Sequence, residues 1–169
     1  RVELDGRTVF SSDAGFDAFI REAFKSRGSA NMKFYKMDSA CKLAYVAAEW
    51  ILDGIEFGEE ECAVLMSGRY GSLDTDMNHQ SIIDREGDDY AAPSVFVYTL
   101  PNVAAAEISI RHHIKGENIW FSDAPMAELR HQAELASARE SLKYCLVGRS
   151  DFINGEYLAI FELLRFGEV

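Results

Sequence analysis

Positive charge is scarce in this sequence: 17 Lys and Arg stand against 28 Asp and Glu, leaving a net charge of −11. That balance opposes non-specific nucleic-acid binding, whose affinity comes mainly from neutralised phosphates, and it opposes an anionic membrane surface. It also repels an acidic protein unless cations gather locally, and Arg111, Lys115, Arg130 and His131 are the candidates for such a patch. Proline is scarce too, at three residues, while 48% of the chain is hydrophobic and 27% charged, which excludes a disordered or low-complexity chain. No apolar run approaches the roughly 20 residues of a membrane-spanning helix, and no charged-then-apolar leader opens the sequence, so a cytoplasmic location is expected. The three cysteines, Cys41, Cys62 and Cys145, are odd in number and sit in apolar runs, where they read as buried, reduced thiols.

A chain of 169 residues suits a single domain, here taken as residues 1–169. Phe16, Phe19, Ile20 and Phe24 are spaced for an amphipathic helix over 17–26. A second helix is expected over 37–53, capped by Asp38 or Ser39, with Leu43, Ala47, Trp50 and Ile51 on one face. The apolar runs at 62–68 and 142–148 read as central strands covered on both sides. The acidic stretch 73–90 reads as a surface loop with at most one helical turn. Asn102 can cap a buried central helix whose apolar positions are Val103, Ala106, Ile110 and Ile114, with Gly116 closing it. A strand at 118–122 and a helix over 126–142, with Leu129, Ala133, Ala136 and Ala138 inward, precede a last strand at 155–166. The Asn154-Gly155 pair before that strand signals a hairpin. Helices between short buried strands give an α/β fold, a central mixed sheet covered by helices.

The usual site patterns fail one by one. "GRYGS" at 68–72 lacks the lysine and spacing of a P-loop and reads as a tight turn. Asp74, Asp76 and Asn78 open like a calcium loop, but His79 replaces the turn glycine and Arg85 the closing glutamate. His112 and His113 are adjacent and diverge by about 100° on a helix, so they cannot share a metal as an i, i+4 pair does. No Ser-His-Asp order and no Cys-x-x-Cys is present. The residues assign no catalytic group, no cofactor and no metal.

A longer pattern is visible in "KMDSACKLAYVAAEWIL", "CAVLMSGRYGS", "PSVFVYTLPNVAAAEISIRHHIKGENIWFS" and "CLVGRSD". Together these resemble the amino-terminal half of the β-ketoacyl-acyl carrier protein synthases, the thiolase-like condensing enzymes. That family shows an R/K-M-D helix start, a strand ending G-T-G-x-G-G, then S-P-x-F-x-x-x-T-x-x-N-x-x-A-G-x-x-x-I and G-P-x-x-x-x-x-x-A-C-x-S. Lys36, Met37 and Asp38 match, as do Pro93, Ser94, Phe96, Thr99, Asn102, Ala105 and Ile110. The resemblance runs in order from residue 31 to about 165 and implies half of a ketosynthase fold.

The departures decide what the resemblance implies about function. Gly116 takes the place of the glycine in G-P, Ala124 that of the alanine before the nucleophile, and Pro125 that of the acylated cysteine. Acyl transfer in the family needs a thiolate activated at a helix N-terminus, and proline offers no heteroatom. Proline is welcome at the first position of a helix, so the elbow can persist without its reactivity. A full condensing enzyme is about twice this length, and its other half supplies the histidines, or histidine and asparagine, of decarboxylation and oxyanion binding. The resemblance therefore implies a pseudoenzyme of a fatty-acid, polyketide or aryl-polyene pathway. It would act as a chain-length-factor-like or accessory subunit, in a homodimer or in a heterodimer with a full-length ketosynthase, and would meet acyl carrier protein only indirectly. The strand Asn118, Ile119, Trp120, Phe121 and Ser122, which in the family lies near the dimer interface, is the candidate interface strand. Loss of the other half should also leave an apolar face that wants cover. The alternatives are an acyltransferase or hydrolase whose nucleophile has moved to Ser122, Cys41 or Cys145, with His79, His112, His113 or His131 as base, and a plain scaffold.

Overall fold

The structure, a computed structural model, describes residues 1–28, 30–87 and 93–167. A small hairpin of β1 (Val2–Leu4) and β2 (Arg7–Phe10) leads to α1 (Phe16–Ser26), a 3-10 turn at Met32–Lys36 and α2 (Ser39–Leu52). Then come β3 (Cys62–Gly68), α3 (Leu73–Glu86), a short α4 (Pro93–Phe96) running into a 3-10 turn, and α5 (Val103–His112). The chain closes with β4 (Asn118–Ser122), α6 (Met126–Glu140), β5 (Tyr144–Ile153) and β6 (Glu156–Arg165). The main sheet has the order β4-β3-β5-β6, with β3 parallel to β4 and β5, and β6 antiparallel to β5. This is the mixed sheet expected from the sequence, and Asn154 and Gly155, both at positive φ, make the hairpin turn between β5 and β6.

Every residue of β3 is buried, because helices cover both faces. On one side α1, the 3-10 turn at Met32–Lys36, α2 and α5 pack Phe24, Phe34, Tyr45, Ala48 and Ile108 against Val64, Met66 and Leu146. On the other, α6 alone brings Leu129, Ala133 and Ala136 against Ala63, Leu65, Cys145 and Val147. The alternation of side chains along each strand feeds these two layers. Gly116 lies where β3 begins: a Cβ there would sit 2.3 Å from the Cys62 carbonyl oxygen, so close backbone approach requires glycine.

Several expectations are corrected by this packing. The stretch from Leu73 onward is not a loop but the 14-residue α3; residues 88–90 of that stretch lie outside the described ones. Asp74 and Asp76 in its first turn complement the helix dipole, and Gln80 donates to Asp84 one turn on at 2.8 Å. α5 ends at His113 in the left-handed conformation rather than at Gly116, and the Asn102 side chain makes no capping bond. Its buried residues are Ala104, Ala105, Glu107 and Ile108, while Ile110 is exposed, so the expected stripe was out of phase. In α2 the core takes Cys41, Ala44, Tyr45 and Ala48 as well as Leu43, leaving Ala47, Trp50 and Ile51 half-buried. Ala138 of α6 is exposed.

The candidate basic patch does not gather. Arg111 is bonded to Glu49, Lys115 to Glu59 and Arg130 to Glu162, so each cation is matched where it stands. These bonds hold the Glu59 and Glu162 carboxyls below the ordinary range, and the Lys143 ammonium does the same to Glu61. Carboxyls depressed in the folded state contribute stability above their unfolded pKa of about 4.3 and lose it as pH falls through the folded value. Asp38 has the opposite sign: burial raises its pKa, despite hydrogen bonds from Thr75 and the Cys41 N–H, so its contribution is lost as pH rises. The melting temperature should therefore fall as pH drops below about 4, and thermal melts of Glu162→Gln should show a shallower fall than wild type.

Candidate functional site

The turn between β4 and α6 forms the elbow anticipated from the sequence. β4 pairs with β3 from Val64↔Asn118 to Gly68↔Ser122, and the next residue, Asp123, turns the chain at φ 50°. A non-glycine residue in that region marks a tightly constrained turn, which aspartate tolerates better than most. The Asp123 N–H donates to the Gly68 carbonyl at 3.0 Å, pinning the turn to the end of β3. Pro125 follows at φ −70° and ψ 160°, the N-cap of α6 rather than its first helical residue as expected. Its carbonyl accepts the Glu128 and Leu129 N–H groups at 3.0 and 3.2 Å, so the ring sits outside the first helical turn.

Arg149 on β5 holds this elbow from below. Its guanidinium donates to the Ala124 carbonyl at 3.1 Å and to Asp123 Oδ1 at 2.8 Å, and lies 3.7 Å from Asp151 Oδ2. Asp151 in turn accepts the Arg69 and Tyr70 N–H groups through Oδ1 at 2.6 and 3.0 Å. The "GRYGS" segment is thus the tight turn expected of it, and a charged relay ties it to the elbow. Nothing in the spacing of residues 69, 123, 149 and 151 foretold this network. The arginine in "CLVGRSD" and the isolated aspartate after the strand were its only traces.

β4 is an edge strand: among the described residues only β3 pairs with it. Ile119 and Phe121 turn toward α6, while Trp120 packs on the α2–α5 side. The Asn118 side chain donates to Ser109 Oγ of α5 at 2.8 Å, and Ser122 is exposed at the strand tip. An unpaired edge leaves backbone donors and acceptors open to another strand. The expected candidate strand therefore has one free side and two covered faces.

Of the relocated nucleophiles, Ser122 is exposed at the tip of β4, while Cys41 and Cys145 are free and buried, as is the third cysteine, Cys62. Burial pushes the Cys62 and Cys145 thiols up to about 12 and Cys41 well above its ordinary value, so none is a thiolate at neutral pH. A cavity of about 20 Å³ reaches Cys41, room for little more than a water, and no histidine lines it. The histidines lie elsewhere: His79 near Phe96, His112 beside Glu49, His113 closing α5, and His131 on the exposed side of α6. No group of three or more His, Cys, Asp or Glu among the described residues is placed to hold a metal ion. Asp74, Asp76 and Asn78 lie on α3, where Asp74 instead accepts the Asn154 N–H at 2.7 Å.

The matched motif residues surround β3. Asp38 caps α2 by accepting the Cys41 N–H at 2.8 Å and also accepts the Thr75 hydroxyl at 2.5 Å, joining α2 to α3. Thr99 donates to the Phe96 carbonyl at 2.7 Å, and its own carbonyl accepts the Ser72 hydroxyl at 2.7 Å. These bonds lock the segment after α4 onto the turn that follows β3.

A layered mixed sheet, an elbow after an edge strand and this motif order define the α/β fold of the ketosynthase and chain-length-factor proteins. Solved structures carry that likeness. The ishigamide ketosynthase/chain length factor superposes with a TM-score of 0.67 and 23% identity, over 80% of this chain and 39% of that one. The ketosynthase (ApeO) in complex with its chain length factor (ApeC) from Xenorhabdus doucetiae gives a TM-score of 0.63 and 14% identity, over 80% of this chain and 60% of that one. The likeness is one of fold, and the chain spans less than two thirds of the length of either. No protein-family model and no curated protein matches it. No helix among the described residues is long and apolar enough to cross a membrane.

Proposed function

We propose that this chain is a ketosynthase-like subunit without condensing activity of its own. It associates with a full-length ketosynthase of an acyl-carrier-protein-dependent fatty-acid, polyketide or aryl-polyene pathway, as chain-length-factor or accessory subunits do. The observation that carries this reading is the elbow: β4, the strained Asp123 and α6 are all built, and Arg149 fixes them, while Pro125 offers nothing to acylate. Selection on a reactive site does not explain so many interactions around an inert residue. A partner-facing element accounts for the same rigidity, since preorganised contacts bind with less ordering cost. The neighbours ApeO and ApeC form such a complex of ketosynthase and chain length factor.

The rival acyltransferase or hydrolase needs a nucleophile and a base within reach, and the buried thiols and scattered histidines argue against it. The test is a tagged pull-down from the native host, followed by condensation assays of the recovered ketosynthase with and without this chain. Co-purification and a changed product length or rate are expected. A chain that returns without a ketosynthase, and gains a covalent acyl adduct from an acyl thioester by mass spectrometry, would overturn the proposal.

A further inference from the structure

α3 is a 14-residue helix with no buried residue, although it carries Leu73, Met77, Ile82 and Ile83. Helices of this length are held in proteins mainly by burying an apolar stripe, and among the described residues α3 buries none fully, Ile82 and Ile83 being half-buried. Leu73 and Met77 are exposed, and so are Phe96, Val97 and Leu100 of the α4 segment packed beside it. Phe96 is the most exposed of these at 58%, a large aromatic of the kind that anchors protein contacts.

The helix that carries this face is acidic, with Asp84 and Glu86 exposed. α3 carries Asp74, Asp76, Asp84 and Glu86, and its one Arg, Arg85, is bonded to Glu86 at 2.6 Å. The whole chain carries −11. Two copies meeting through this face would press like charges together around an apolar centre, which opposes association. We infer that α3 and the α4 segment form a docking face for a different chain, one with an apolar contact surface rimmed by Lys and Arg, and not for a second copy. This rests on the reading of the chain as a subunit of a complex and selects the heterodimer over the homodimer.

Two arms test it. In the first, the chain alone is studied by sedimentation velocity at about 0.01 M and about 1 M salt, where the screening length falls from about 30 to 3 Å. Wild type is expected to be monomeric at low salt, with self-association strengthened at least about tenfold by salt and lost in Phe96→Asp. Phe96 is exposed, so that variant keeps its fold, and circular dichroism checks it. A homodimer at low salt that Phe96→Asp dissolves would overturn the inference by making the second copy the occupant. In the second arm the probe is the full-length ketosynthase. Binding is expected to weaken at least about tenfold in high salt, in Phe96→Asp and in Asp84→Lys/Glu86→Lys. If the ketosynthase binds but ignores all these changes, the docking face is wrong while the proposed function stands. If it does not bind wild type at all, the proposed function fails, and the first arm still decides whether the acidic helix excludes a second copy.

Discussion

Leu129→Ala is expected to lower stability by about 3–5 kcal/mol, seen as a shift in urea unfolding and a fall of roughly 10 °C in melting temperature. Among the described residues α6 is the one helix packed on its face of the sheet, over the central strands, and its three buried residues are Leu129, Ala133 and Ala136. Two of these are alanines, so most of the apolar area that the helix contributes belongs to Leu129, which is 0% exposed. Ala63, Leu65 and Val147 opposite it lie on central strands paired on both sides and cannot shift inward to fill the space. A cavity under the leucine is therefore retained rather than closed, the costly end of such substitutions. Leu135→Ala on the same helix removes the same atoms from an exposed site and should change stability by less than about 0.5 kcal/mol. Equal effects from the two variants would mean that α6 is held by something other than its buried stripe.

What could be read from the residues follows how much of the information is local. β3 and β5 were legible because a strand buried on both faces is a continuous apolar run, and β4 because its short alternation stood between Gly116 and a proline. α6 was legible because Leu129, Ala133 and Ala136 repeat at helical spacing on an otherwise polar segment. α2 and α5 were found but their buried faces were misjudged: both are alanine-rich, and alanine fits either face, so tertiary contacts chose the phase. α3 was missed for the opposite reason. Its apolar residues form no buried stripe, and the helix rests on first-turn acids and the Gln80–Asp84 bond, which read as a solvated loop. The β1–β2 hairpin went unread although Asp5 and Gly6, both at positive φ, are the usual turn pair.

The candidate site was half legible. The assignment of Pro125 to the nucleophile position is an expectation that rests on the motif alone, from the distances of Ala124 and Pro125 to Gly116. An uncovered apolar face was expected without a place in the fold, and the α6 side exposes little apolar surface. There Leu135, Leu158 and Ile160 are set among charged residues such as Arg130, Glu162 and Arg139. The larger apolar exposure falls on α3 and α4, which only the folded chain reveals.

Arg149→Met is expected to destabilise the fold by about 2–3 kcal/mol, the range for a lost hydrogen bond to a charged group plus a carbonyl left unpaired. It is also expected to weaken the proposed complex with a ketosynthase at least about tenfold under conditions where the fold persists. The Arg149 side chain is 24% exposed, and its guanidinium serves the Ala124 carbonyl, Asp123 and, at longer range, Asp151. Without it Asp151 keeps only its backbone donors, Arg69 and Tyr70, and the turn at φ 50° loses the contact that holds the Asp123 carboxylate down. Lysine cannot serve two acceptors in the planar fork that arginine presents, so Arg149→Lys should recover only part of both effects. Arg130→Met is the control, since it removes the same charge from a half-exposed pair with Glu162 and leaves the elbow untouched. That loss should change stability by no more than about 1 kcal/mol. If both methionine variants weakened the complex equally, the effect would belong to net charge. If only Arg149→Met does so, the geometry of the elbow is what the partner reads, and the inert Pro125 is explained as part of a surface and not as the remnant of a reaction.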